Sequence, residues 1–104
     1  MKTTITENDG KTLVAVQGEI DTNTCPKLQS DISPLMEREG LDLELDLGRT
    51  EYISSKALRI IISLQQAILA NKGKMRITSV SPAVREIFDM TGLTKSFLHL
   101  DQKD

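Results

Sequence analysis

The 104-residue chain carries 13 basic and 15 acidic residues, for a formal net charge of -2, and its aromatic residues are one tyrosine and two phenylalanines. This length fits a single domain with its own core, so residues 1–104 are predicted to form one domain. The charge is mixed and aromatics are scarce, which argues against nucleic-acid binding, because such proteins usually combine a basic stripe with stacking aromatics.

The first predicted elements are two strands, at residues 3–6 and 12–18, which form a hairpin around the turn residues 8–10. Residues 21–24 then offer several candidate N-caps for a helix that has Pro26 near its start and continues to about residue 40. Pro34 removes a backbone hydrogen bond inside that helix, so we expect a kink or a split near Ser33.

The second half of the chain alternates strands with helices. Residues 41–47 alternate leucine with acidic residues, the pattern of a strand with one buried face. A helix is predicted from about residue 55 to residue 71, a strand at 74–80, a helix from Ser81-Pro82 to Gly92, and a short last strand at 97–100. The order β-β-α-β-α-β-α-β predicts an α/β fold with a mixed, mostly parallel sheet and helices mainly on one face.

Two adjacent serines, Ser54 and Ser55, fall where the 41–47 strand leads into the following helix. One of them is expected to cap the helix, which is worth about 1 kcal/mol, while the other occupies its first turn. Neither serine has the flanking glycines of a hydrolase nucleophile. The only histidine, His99, has no partner for a base or metal site, so we expect no catalysis, no metal and no cofactor.

Compartment is predicted from what the chain lacks. The single cysteine, Cys25, cannot form an internal disulfide, which is compatible with a reducing environment. No stretch approaches the ~20 apolar residues of a membrane span, and the N-terminus has no apolar segment of signal-peptide length. We therefore expect a cytoplasmic protein without direct membrane insertion.

Four short segments resemble the STAS domain of bacterial anti-sigma-factor antagonists: GEID at residues 18–21, YISSKALR at 52–59, VSPAV at 80–84 and FDMTGL at 88–93. The resemblance covers nearly the whole chain. It implies that the residue matching Ser55 is phosphorylated by a partner kinase that is also the anti-sigma factor, with Ser54 as the alternative acceptor. The unmodified form would bind that kinase and so free a sigma factor, and a phosphatase would be a further partner.

The resemblance also implies which residues form the partner surface. The turn at residues 18–21 should lie beside the junction of Ser54 and Ser55, called the serine corner below, although Asp21 could equally be a helix cap. Arg59 lies one turn into the helix, where an exposed charge is usually only solvated. The predicted partner-binding residues are Glu19, Asp21, Thr22, Asn23, Ser54, Ser55, Lys56 and Arg59.

Two positions depart from the pattern of the family, and a second function fits the same resemblance. Many members of the family carry Asp before the phosphorylated serine and Gly two residues after it, where this chain has Ser54 and Ala57. The alternative function is an accessory STAS subunit of a membrane transporter, bound to its cytoplasmic ATPase at the same corner without a phosphorylation switch. The two functions predict different partners for one surface.

Overall fold

The computed structural model describes residues 1–91, which form four strands and three α-helices in the order β-β-α-β-α-β-α. The elements are β1 (Lys2–Asn8), β2 (Lys11–Ile20), α1 (Cys25–Ile32), β3 (Asp42–Ile53), α2 (Ser55–Ala70), β4 (Lys74–Val80) and α3 (Pro82–Thr91). The expected last strand at 97–100, with His99, lies outside the described residues. The predicted α/β order is confirmed up to that point.

The strands form one sheet in the order β1-β2-β3-β4. β1 pairs antiparallel with β2, whereas β3 runs parallel to both β2 and β4. The mixed, mostly parallel sheet is therefore confirmed. Because parallel strands end at the same edge of a sheet, the segments that follow β2, β3 and β4 all leave from that edge.

A two-residue turn connects β1 to β2. Asp9 and Gly10 both have positive φ, at 53° and 81°. This is the backbone that a tight hairpin turn with the strand's own twist requires, and Asp-Gly adopts it readily. The predicted hairpin is confirmed, with strands longer at both ends than the residue pattern indicated.

Pro34 divides the first helical segment as expected. α1 ends at Ile32, and a 3-10 helix covers Ser33–Glu37. Proline has no N–H with which to continue the α-helical bonding. At the end of α1, both the backbone N–H and the hydroxyl of Ser33 donate to the carbonyl of Gln29, the hydroxyl at 2.6 Å. The helical segment ends near residue 37, short of the predicted residue 40.

β3 extends six residues beyond the predicted end at residue 47, to Ile53. The leucine alternation stops at Gly48, where a Cβ would lie 2.7 Å from the Ser79 hydroxyl and 3.1 Å from a carboxylate oxygen of Asp46. The pairing of β3 with β2 and its pairing with β4 each contain register shifts in this part of the strand. The strand therefore continues with a changed pattern of exposed and buried residues. This extension carries β3 directly to the serine corner.

The core lies on one face of the sheet, under the helices. Along β3, Leu43, Leu45 and Leu47 are buried, while the alternating acidic residues on the other face are half-buried. Residues of α1, α2 and α3 join the same buried cluster, as the prediction of helices on one face requires. Leu69, which the helical spacing placed in the apolar face of α2, is 56% exposed.

Candidate functional site

Ser54 is the N-cap of α2. Its backbone is extended, with φ -78° and ψ 166°, and its hydroxyl oxygen accepts the backbone N–H of Ala57 at 3.1 Å. This bond satisfies one of the free N–H groups at the start of the helix. The capping interpretation of the serine pair is therefore confirmed, with Ser54 as the cap and Ser55 as the first helical residue.

The two serine hydroxyls lie in different environments. Ser54 is half-buried, and its oxygen lies 3.5 Å from the sulfur of Cys25, the buried first residue of α1. Ser55 is exposed, and its hydroxyl makes no hydrogen bond to any residue among 1–91. The Ser54 hydroxyl thus caps the helix, whereas the Ser55 hydroxyl is exposed to solvent.

The end of β2 lies directly beside this corner. Ile20 and Glu19 pair with Ile53 and Tyr52 in the parallel ladder, and the backbone N–H of Ser54 donates to the Ile20 carbonyl at 2.9 Å. The structure therefore brings the 18–21 segment next to the serines, as the sequence predicted. Gly18, in the same segment of β2, has a φ of +98°, a backbone conformation that residues with a Cβ rarely adopt.

Asp21 shapes the loop between β2 and α1 rather than capping the helix. Its carboxylate accepts the backbone N–H of Asn23 at 2.9 Å and that of Thr24 at 3.1 Å. The bond from Thr24 is the main reason why the pKa of Asp21 lies below its ordinary value of 3.8. The N-cap residue of α1 is Thr24, whose hydroxyl donates to the Glu19 carbonyl at 2.9 Å.

The remaining predicted partner residues are all on the surface near the corner. Glu19, Thr22 and Asn23 are exposed at the end of β2 and in its loop. Lys56 and Arg59 are exposed on the first two turns of α2. Lys56 and Arg59 line a groove of about 270 Å³ between α1, the 3-10 helix and α2. Its other lining residues are Gln29, Met36, Ile60 and Ser63. All eight residues thus lie on two adjacent segments and the helix that follows the second.

Three further residues belong to the site, although the sequence prediction did not include them. Tyr52 is 46% exposed beside Glu19, Cys25 forms the wall behind Ser54, and Thr24 fixes the loop. Tyr52 could have been found, because it is the only tyrosine in a chain with few aromatics and it precedes the serines by two residues. The roles of Cys25 and Thr24 depend on tertiary packing, which the sequence pattern does not report.

The described residues offer no metal site and no membrane-spanning helix. Residues 1–91 hold no group of three His, Cys, Asp or Glu side chains that could bind a metal ion. Across the described helices, none combines the length and apolar character that crossing a bilayer demands. The site consists of an exposed hydroxyl, a capped helix start and nearby charged side chains.

Comparisons with known proteins connect this site to one family. The sequence profile of the STAS domain family matches residues 2–103. An anti-sigma-B factor antagonist of Staphylococcus epidermidis is 30% identical over 89 residues, 86% of this chain and 82% of that protein. The crystal structure of an anti-sigma factor antagonist from Mycobacterium paratuberculosis has a TM-score of 0.81 at 30% identity, covering 92% of this chain and 81% of that one.

The fold also matches SpoIIAA, the Bacillus cell fate determinant, whose structure is known in two states. The unphosphorylated anti-sigma factor antagonist has a TM-score of 0.77 at 16% identity, over 93% of this chain and 86% of that one. The phosphorylated form has a TM-score of 0.71 at 15% identity, over 93% and 89%. At this identity the likeness concerns the fold alone.

Proposed function

Because the chain belongs to the STAS domain family, we propose that it acts as an anti-sigma-factor antagonist. In its unphosphorylated form it binds an anti-sigma factor with serine kinase activity, and this association frees a sigma factor. A relative with 30% identity over 86% of the chain carries the name of anti-sigma-B factor antagonist, which supports this activity. The proposal places the protein in the cytoplasm, where sigma factors act.

Phosphorylation of Ser55 is the proposed off-switch, and the contrast between the two serine hydroxyls carries this assignment. A phosphoacceptor must enter the active site of a kinase, which requires an exposed and unengaged hydroxyl. Ser55 meets this requirement, whereas the oxygen of Ser54 accepts the Ala57 N–H and lies against the Cys25 sulfur. Modifying Ser54 would break the helix cap, while modifying Ser55 leaves it in place.

The switch acts on association and leaves the fold intact. A phosphate adds about -1.5 to -2 charge at pH 7. At the first position of α2 this charge meets free backbone N–H groups, so the protein tolerates it. Against a close-packed partner the same charge has to be desolvated, which weakens binding by sterics and electrostatics.

The proposed partner surface comprises the exposed residues Glu19, Thr22, Asn23, Ser55, Lys56 and Arg59, with Ser54 and Asp21 behind them. Asp21 contributes through the loop, because its carboxylate is already bonded to the N–H groups of Asn23 and Thr24. Ser54 contributes in the same way, by fixing the start of α2. In this scheme the protein is a substrate and a ligand of the kinase and has no catalytic role, and a phosphatase would restore the binding form.

The test is capture of partners from a lysate of the source cells with four baits. These are the native protein, Ser55→Ala, Ser55→Glu, and Ala83→Glu as a control that adds the same charge to the exposed start of α3. The proposal predicts that all baits except Ser55→Glu recover an anti-sigma kinase.

Two results would contradict the proposal. Equal recovery of the kinase by Ser55→Glu would remove the switch from this position. Recovery of a transporter ATPase, with no kinase, would instead support the role of an accessory transporter subunit.

A further inference from the structure

Two cations stand at the start of α2 without a counter-charge on their own helix. Lys56 and Arg59 are exposed in its first two turns. The helix sequence, SKALRIIISLQQAILA, contains no aspartate or glutamate, so no carboxylate is available at the i+3 or i+4 spacing that supports ion pairs on a helix.

The surrounding residues do not supply a counter-charge either. Neither Lys56 nor Arg59 takes part in an ion pair with another residue among 1–91. The groove that both line is otherwise neutral, with Gln29, Met36, Ile60 and Ser63 as its remaining walls. On α1, which packs against this side, Asp31 already pairs with Lys27 at 2.9 Å.

The acidic groups at the adjacent strand ends have other positions or other partners. The Asp21 carboxylate accepts two backbone N–H groups of its own loop. Glu19 and Glu51 are exposed on β2 and β3, outside the groove. Positive charge in the first turns of a helix is also disfavoured by the helix dipole. An anion placed between Lys56 and Arg59 would remove that penalty.

Ser55 is the position from which a covalently attached anion would reach both cations. Ser55 and Arg59 are four residues apart, the spacing at which side chains on a helix are neighbours. Helical side chains lean toward the N-terminus, so the Arg59 side chain inclines toward Ser55. Lys56, the next residue, is exposed on the neighbouring face of the helix that borders the groove, and only its long, flexible side chain would bring its ammonium to the phosphate.

We propose that Lys56 and Arg59 are the intramolecular counter-charges of a phosphate on Ser55. This inference rests on the proposed function, since it concerns the modified state of that site. Arg59 pairs with the phosphate across one helical turn, and Lys56 pairs with it from the groove side. The guanidinium suits the phosphate because its planar array of N–H donors matches two phosphate oxygens.

The consequence is a particular kind of switch. Lys56 and Arg59 together carry a charge of about +2, and a phosphate carries about -1.5 to -2. Phosphorylation therefore neutralises the two cations at the start of α2, whereas without them it would add an anion that has no counter-charge on that helix. The partner that recognises the unmodified corner loses the two cations as binding groups at the same moment as it meets the added phosphate.

The test uses protein into which phosphoserine has been incorporated at position 55 during synthesis, so no kinase or partner is needed. The second ionisation of the phosphate, with an ordinary pKa of about 6, is followed by phosphorus NMR as the pH is varied. Three proteins are compared: the native sequence, Lys56→Gln with Arg59→Gln, and Lys72→Gln with Lys74→Gln. The last pair removes two exposed cations beyond the far end of α2.

The proposal predicts a phosphate pKa about half a unit lower in the native sequence than in the Lys56→Gln, Arg59→Gln protein, because nearby cations favour the dianion. The control pair should match the native protein. Equal pKa values in all three proteins would overturn the proposal. That result would leave the proposed function standing, whereas failure to recover an anti-sigma kinase would overturn the proposed function and leave the phosphate measurement valid.

Discussion

The helices α2 and α3 both begin with a capping serine at the same edge of the sheet, but the residues around the two caps differ. The hydroxyl oxygen of Ser54 accepts the N–H of Ala57 at 3.1 Å, and that of Ser81 accepts the N–H of Val84 at 3.2 Å. Each serine follows a strand, β3 or β4, and the two strands are parallel neighbours. The cap itself is therefore a structural feature common to both helices.

The difference lies in what surrounds the cap. The Ser81 hydroxyl also donates to the Thr50 carbonyl at 2.6 Å, which ties α3 to β3, and the next residue is Pro82. After Ser54 comes the exposed hydroxyl of Ser55, followed by Lys56. The capping serine is thus common to both helix starts, whereas the exposed hydroxyl next to the cap and the two cations that follow it are particular to α2.

The largest expected effect distinguishes the two helix starts by binding. Ser55→Glu should weaken association with the purified anti-sigma partner by about a hundredfold, or ~2.7 kcal/mol, because a carboxylate has to be desolvated at the interface. Ala83→Glu, which adds the same charge to the first turn of α3, should change the affinity by less than about twofold. Isothermal titration calorimetry measures both. Comparable losses in the two variants would extend the partner surface to α3.

A smaller effect distinguishes the two caps by stability. Ser81→Ala removes both the cap and the bond to the Thr50 carbonyl, so its cost should be about 2 kcal/mol. Ser54→Ala removes the cap and only a long contact to a sulfur, at a cost of about 1 kcal/mol. Urea unfolding gives both free energies. A larger loss for Ser54→Ala would mean that the contact with Cys25 contributes more than the Thr50 bond.

The smallest effect concerns the loop before α1. The Asp21 carboxylate, which can titrate, holds this loop, whereas serine hydroxyls cap the starts of α2 and α3. The pKa of Asp21 is lowered in the folded protein, chiefly by the N–H of Thr24, so its carboxylate contributes stability above the ordinary value of 3.8. That contribution is lost as the pH falls through the lower folded pKa. The difference in unfolding free energy between native protein and Asp21→Asn should therefore shrink between pH 6 and pH 3. An unchanged difference would show that the carboxylate's charge is not what holds the loop.

The sequence predicted those parts of the fold that depend on local chemistry. Pro34 gave the split in the first helical segment, and Asp9-Gly10 gave the hairpin turn, because each restricts the backbone directly. The extension of β3 to Ile53 was missed, because exposed Arg49 stands where the next leucine of the alternation would fall and the buried positions change to Thr50 and Ile53. Pairing with β2, which continues as far as Ile53, maintains the strand there, rather than the residue pattern.

In the candidate site, too, the sequence predicted the local features and missed those that depend on tertiary contacts. The sequence placed both serines at a helix start, but it did not reveal that Ser54 caps the helix and lies against Cys25, a residue of another helix. The loop role of Asp21 likewise follows from its bonds to Asn23 and Thr24. Exposure and hydrogen bonding of individual side chains are tertiary properties, so the contrast between the two hydroxyls required the structure.

The most direct test of the central claim is to locate the phosphate on protein isolated from its own cells. Trypsin cleaves after Arg49 and Lys56, which releases both serines in one peptide of residues 50–56. Tandem mass spectrometry then separates the fragment made of Ser55 and Lys56 from the fragment that ends at Ser54. We expect the phosphate on the Ser55 fragment. A phosphate on Ser54, or an unmodified peptide under every condition in which the anti-sigma kinase is active, would contradict it.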